Sequence, residues 1–213
     1  MAEARNAPAE HVAEFGKGHL TPALPDGRLD APAFHRNHAA ILEALVRLLG
    51  GRGGDVLELG SGTGQHAVAL CQGLPQVTWW PSDPLDSHLR SITAWREHAA
   101  PANLRPPVRI DASRLDWALA PQGLPTSFTA IFCANVIHIA PWAVAEGIFA
   151  GASRHLEAEG QLMLYGPFRR DGVHNSPGNA AFDEGLRRDN PEWGVRDTAD
   201  LRALATRNGL RLV

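Results

Sequence analysis

Between Val56 and Ala67 the chain reads VLELGSGTGQHA, with an acidic residue, Glu58, followed by glycines at positions 60, 62 and 64. Alternate glycines clear side chains from a turn, so that a ligand can lie against main-chain amides at the start of the helix that follows. The spacing narrows the choice of ligand. A dinucleotide fingerprint, G-x-G-x-x-G, needs its third glycine where Gln65 stands, and no Gly-Lys-Ser/Thr follows to grip a phosphate. Glu58 would repel a pyrophosphate and would welcome a cation or the donor hydrogens of an ammonium group. An ordinary strand-to-helix turn can carry the same glycines, so the pattern gains meaning only if matching residues recur further along the chain.

S-adenosylmethionine has a sulfonium, an ammonium and no phosphate, and a turn made of Gly60, Ser61, Gly62, Thr63 and Gly64 would let it lie close to main chain. Later segments offer further partners. Asp83, in WPSD, can accept from both ribose hydroxyls, and Asp111, in RID, from the adenine amine, with Ala112 and Trp117 beside the ring. In CANVIHIAPW, Asn135 can orient the methionine tail and His138 can take a proton from a methyl acceptor. Tyr165, the only tyrosine, can hold that acceptor or help to deprotonate it. Each has a plainer alternative: turn residues for the two aspartates, local backbone bonding for Asn135, packing for His138 and Tyr165. Arg169, Arg170, Asn175, Asn179, Arg187, Arg188 and Arg196 could clamp a carboxylate or phosphate or form a solvated face. His35 and His38 lack a third ligand at useful spacing, so no metal site is expected.

These residues need a scaffold that brings strand ends together. VLELG, VTWWPSD, PVRID, FTAIFCANV and QLMLYGPF read as strands, separated by helical patterns that include SHLRSITAWREHA and WAVAEGIFAGASRHLEAEG. Before them, Asp30 is placed to cap a helix with Pro32 in its first turn, and Gly50 and Gly51 to end it. Such alternation predicts an α/β protein, a Rossmann-like doubly wound and mostly parallel sheet with helices on both faces. Its domain would span residues 31–213, behind an Ala- and Pro-rich arm over residues 1–30. In that sheet ligands sit at the carboxyl ends of the strands, where every candidate above falls.

Composition limits the alternatives. A chain of 213 residues, 44% apolar, suits one domain with one substantial core. A net charge of −3 supplies no basic surplus for nucleic acid. Two cysteines, Cys71 and Cys133, both in apolar segments, suit neither a disulfide framework nor a thiolate metal site. No apolar run approaches a membrane span and the start has no leader pattern, so a cytoplasmic protein with a small-molecule acceptor is expected. Oligomeric state is not readable.

The order E-x-G-x-G-x-G, Asp83, Asp111 and Asn135 resembles that of the class I S-adenosylmethionine-dependent methyltransferases over roughly residues 32–213. More narrowly, HRNHAAILEAL, LELGSGTGQHA, WPSD, SITAW, CANVIHIAPW, LYGPF, FDEGLRRDNPEWGVRD and LRALATRNGL are together similar to a small methyltransferase-like family of bacteria and animals. The resemblance implies the fold, S-adenosylmethionine as cofactor, and methyl transfer to an oxygen, nitrogen or sulfur atom, without naming the acceptor. It also implies that Arg36 and Asn37 reach the methionine end of the cofactor or cover the site. Class I enzymes close their sheet with a last antiparallel strand, which is expected to be missing here after Leu210–Val213. A cofactor-binding partner or structural subunit without methyl transfer is the alternative, and a nicotinamide oxidoreductase ranks below it because Gln65 replaces the third glycine.

Overall fold

The computed structural model describes residues 23–213. Five parallel strands form the main sheet: β1 (Gly54–Leu59), β2 (Val77–Asp83), β3 (Val108–Arg109), β4 (Phe128–Ala134) and β5 (Leu156–Tyr165), in the order β3-β2-β1-β4-β5. The central strands are apolar on both sides because both faces are covered. Alternate side chains enter different cores. Val56 of β1, Trp79 of β2 and Phe132 of β4 pack with α1 (Pro32–Leu49) and α2 (Gln65–Gly73). Leu57, Ile131 and Cys133 point the other way, toward α4 (Trp142–His155) and α6 (Thr198–Arg207). This is the expected Rossmann-like sheet. Strand order reverses between β1 and β4, which opens a crevice at their carboxyl ends.

Several boundaries differ from expectation. Asp30 does not cap α1: the N-cap is Ala31, with no side-chain bond, and Pro32 starts the helix. The Asp30 carboxylate instead accepts from His35 Nε2 and Gln65 Nε2, both at 2.7 Å. The fourth helix stops at His155 rather than running through Gly160, because Leu156 already pairs with Phe128 of β4. A register shift follows, with Glu159 at φ 63° and Gly160 packed so tightly that a Cβ would sit 2.9 Å from Glu157 O. The third strand is reduced to two residues.

The fifth strand ends at Tyr165, not Phe168. Beyond Gly166 and Pro167 a small second sheet begins, with β6 (Phe168–Arg170) between β7 (Val173–His174) and β8 (Arg196–Asp197). Between β7 and β8 lies α5 (Pro177–Asp189), whose N-cap Ser176 accepts from Asn179 N. Of the arm expected over residues 1–30, only 23–30 fall within the described residues. Leu29 there is buried, donating its N–H to Ser91 Oγ of α3 (Asp86–Ala99) and accepting from Trp95 Nε1. No helix among the described residues is long and apolar enough to cross a membrane.

Candidate active site

The glycine turn is held from three sides. Ser61 N donates to Ser82 O at 2.8 Å, Gly62 N to Asp83 Oδ2 at 2.9 Å, and Thr63 O accepts from Ser91 Oγ at 2.7 Å. Gly60, Gly62 and Gly64 take φ values of 70°, 55° and 90°, a region that side-chain-bearing residues avoid. Close approach adds to the requirement. A Cβ on Gly60 would meet Val136 Cγ2 at 2.5 Å, and one on Gly64 would meet Ile92 Cα at 2.8 Å. The bare backbone therefore serves packing on Val136, just after β4, and on Ile92 of α3.

The two acidic residues nearest the turn lie beneath it. Glu58 is buried, accepts from Trp79 Nε1 at 2.9 Å and bonds to Ser61, and its burial pushes its carboxyl up to about 7. Asp83, 2% exposed, accepts from Leu85 N and His88 Nδ1 on Oδ1 and from Gly62 N on Oδ2. Both carboxylates brace the turn.

At the end of β3, Asp111 Oδ1 accepts from Ser113 N and Ser113 Oγ, while Oδ2 accepts from no described residue. Trp117 lies elsewhere, buried in the α4 core against Gly151 and stacked on His155.

The ends of β4 and β5 converge. Asn135 adopts φ 58° and donates its N–H to Tyr165 O at 2.8 Å. His138, 4% exposed, packs edge-on against Phe182. Gly166 leaves room for both: a Cβ there would be 3.3 Å from the His138 ring and 3.8 Å from Asn135 Oδ1. Burial and the nearby Arg196 charge lower the His138 imidazole to about 4, so it is neutral near pH 7. Its ring nitrogens bond to no described residue. Tyr165 stands partly exposed at the end of β5. In α1, Asn37 Oδ1 accepts from His66 Nε2 at 2.8 Å, clamping α1 to α2, while Arg36 is exposed.

Gln65 was singled out only as an absent glycine. Its Oε1 accepts from Ala31 N and Thr63 Oγ1, and its Nε2 donates to Asp30. It joins the turn to the start of α1. Its position two residues after Thr63 was the available signal, but the partner at residue 31 is too distant in sequence to be read. His88, in the first turn of α3, secures Asp83 at the end of β2 and was also missed.

A family model described as "Protein of unknown function (DUF938)" matches residues 28–213. The chain belongs to this DUF938 family. Among solved structures, the DUF938 protein is similar to an O-methyltransferase family protein from Burkholderia thailandensis (14% identity, 84% of this chain and 56% of that chain, TM-score 0.63). It is also similar to human N-acetylserotonin methyltransferase in complex with SAM (14% identity, 83% and 47%, TM-score 0.66). A third is CalO1, a methyltransferase of calicheamicin biosynthesis in its SAH-bound form (17% identity, 84% and 52%, TM-score 0.59). At these identities the likeness is one of fold. The DUF938 chain spans about half the length of these structures.

Proposed function

We propose that this DUF938 protein binds S-adenosylmethionine across the carboxyl ends of β1, β2, β3 and β4 and transfers its methyl group to an oxygen, nitrogen or sulfur atom of a small-molecule acceptor. One observation carries the reading: a turn with glycine at three of its five positions packs on Val136, between Asn135 and His138, at the point where strand order reverses. The residues fit the cofactor. Asp111 Oδ2 and the ring nitrogens of the buried His138 have no hydrogen-bond partner among the described residues, and the strand ends present oxygen acceptors suited to hydroxyl, amine and ammonium donors.

When bound, the cofactor supplies an electrophilic methyl group on its sulfonium. The main chain of residues 60–64 seats the ligand, and Asp83 Oδ2 and Asp111 Oδ2 accept from ribose and adenine donors. Asn135 orients the amino-acid tail. The neutral His138 imidazole offers a ring nitrogen to the acceptor's departing proton, and the Tyr165 hydroxyl holds the acceptor. Glu58 acts through Ser61 and Trp79, and Arg36 with Asn37 covers the edge of the site. Rate enhancement comes mainly from holding acceptor and methyl group in line with water excluded.

Isothermal titration with S-adenosylhomocysteine tests this. Wild type is expected to bind with a Kd on the order of micromolar. Asp111→Ala and Asn135→Ala, each losing one polar contact, should weaken binding about tenfold. Absence of binding by folded wild type overturns the reading.

A further inference from the structure

A cavity of about 400 Å³ lies away from the glycine turn, between the start of α4, the small sheet and α6. Arg169, Arg187, Arg196 and Arg207 line it, against one acidic residue, Asp200. The arginines are poorly neutralised. Only Arg187 has a carboxylate partner among the described residues, Asp183 at 3.2 Å, and that carboxylate also accepts from Val195 N and approaches His174. Arg169 Nε is buried with no hydrogen-bond partner among the described residues. Arg196 spends Nε and Nη2 on the carbonyls of Ile137, Ala140 and Glu192, leaving Nη1 with no partner among the described residues, and its guanidinium lies 5.6 Å from the centre of the Trp142 ring. Burial first, and then the neighbouring Arg187 and Arg169 charges, disfavour its charge, with Asp183 acting against them. Gathering like charges around a buried unpaired N–H is unfavourable in the absence of an anion.

One wall of the cavity is hydrogen-bonded to the loop that carries His138. Arg196 holds Ile137 and Ala140, which flank His138, and Gly194 N donates to His138 O at 2.9 Å. The same few residues therefore build one wall of the cavity and fix the His138 loop.

We propose that the methyl acceptor is an oxyanion-bearing small molecule whose carboxylate or phosphate is bound by Arg169, Arg187, Arg196 and Arg207. This rests on the methyltransferase reading for the word acceptor, and not for the anion site itself. Guanidinium groups suit either anion because their forked N–H donors match the oxygen spacing of both. Asp200 at the cavity edge disfavours ligands with negative charge spread beyond the head group.

The test is titration of wild type, Arg169→Gln, Arg207→Gln and, as control, the exposed Arg188→Gln, with inorganic phosphate and with succinate at constant ionic strength. Folding is checked by near-ultraviolet circular dichroism, and Arg207 is itself exposed, so at least one cavity variant should fold. Expected are saturable binding to wild type and Arg188→Gln, and at least tenfold weaker binding to the two cavity variants. Preference for phosphate assigns phosphorylated acceptors, and preference for succinate assigns carboxylic acids. No saturable binding of either anion to wild type, or binding unchanged in both cavity variants, overturns the proposal. S-adenosylhomocysteine is titrated into the same samples. Anion binding without S-adenosylhomocysteine binding leaves the anion site standing and removes methyl transfer, whereas the reverse removes the anion site alone.

Discussion

Glu58 is held where a carboxylate is costly, and the cost has a definite sign. Its carboxyl lies at about 7 in the fold against an ordinary 4.5. The folded protein keeps a proton that the unfolded chain releases, so the contribution to stability is complete below pH 4.5 and is lost as pH rises through about 7. Glu58→Gln keeps an acceptor for Trp79 and removes the charge. It should be more stable than wild type at about pH 8 by roughly 2–3 kcal/mol, a difference that disappears in acid. His138 acts in the opposite sense: lowered from 6.5 to about 4, it loses stability as pH falls between those values. The variant's stability should therefore decline more steeply with acid than that of wild type. Urea titrations across the pH range measure both effects, and equal stability of the two proteins at about pH 8 would contradict the buried ionisable Glu58.

At the scale of elements, two glycines separate packing from binding. Gly151 of α4 accommodates Trp117, whose ring would lie 2.0 Å from an added Cβ, in a core remote from the turn. Gly64 leads into α2, at φ 90° and against the Ile92 backbone. Alanine at either position should destabilise by about 1–3 kcal/mol. Only Gly64→Ala should also weaken S-adenosylhomocysteine binding, which paired denaturation and titration experiments distinguish.

The elements that carry these glycines were legible in sequence because their apolar periodicity is strong. VLELG forms the strand expected of it, and FTAIFCANV does so up to Ala134, where Asn135 at φ 58° turns the chain out of the sheet. What was hidden depends on contacts distant in sequence. HLEAEG has the composition of a helix end, yet pairing with β4 draws Leu156 onward into strand. Asp30 has the type and position of a cap, yet Gln65 engages it from 35 residues away. Strands of two or three residues, such as those of the small sheet, carry too little periodicity to be seen. The arginine cavity was legible only in part: Arg169, Arg187 and Arg196 are among the residues expected as an anion clamp, but Arg207 is not, and because the four arginines come from four elements, α5, α6, β6 and β8, only their assembly separates them from Arg170 and Arg188.

At the scale of the molecule, the segment leading into α1 and the glycine turn share their fastenings. Ser91 accepts from Leu29 N and donates to Thr63 O, Arg28 stacks over Trp95, and Gln65 holds Ala31 and Thr63 through one oxygen. Two regions held through one side chain are thermodynamically reciprocal: whatever steadies one steadies the other. In deuterated solvent, S-adenosylhomocysteine should slow amide exchange at Leu29 and Ala31 in wild type. Gln65→Ala should speed that exchange and cancel the ligand's protection. Gln65 thus lets the entrance to the first helix report on the turn, a channel that the third glycine of a dinucleotide fold, lacking a side chain, could not provide.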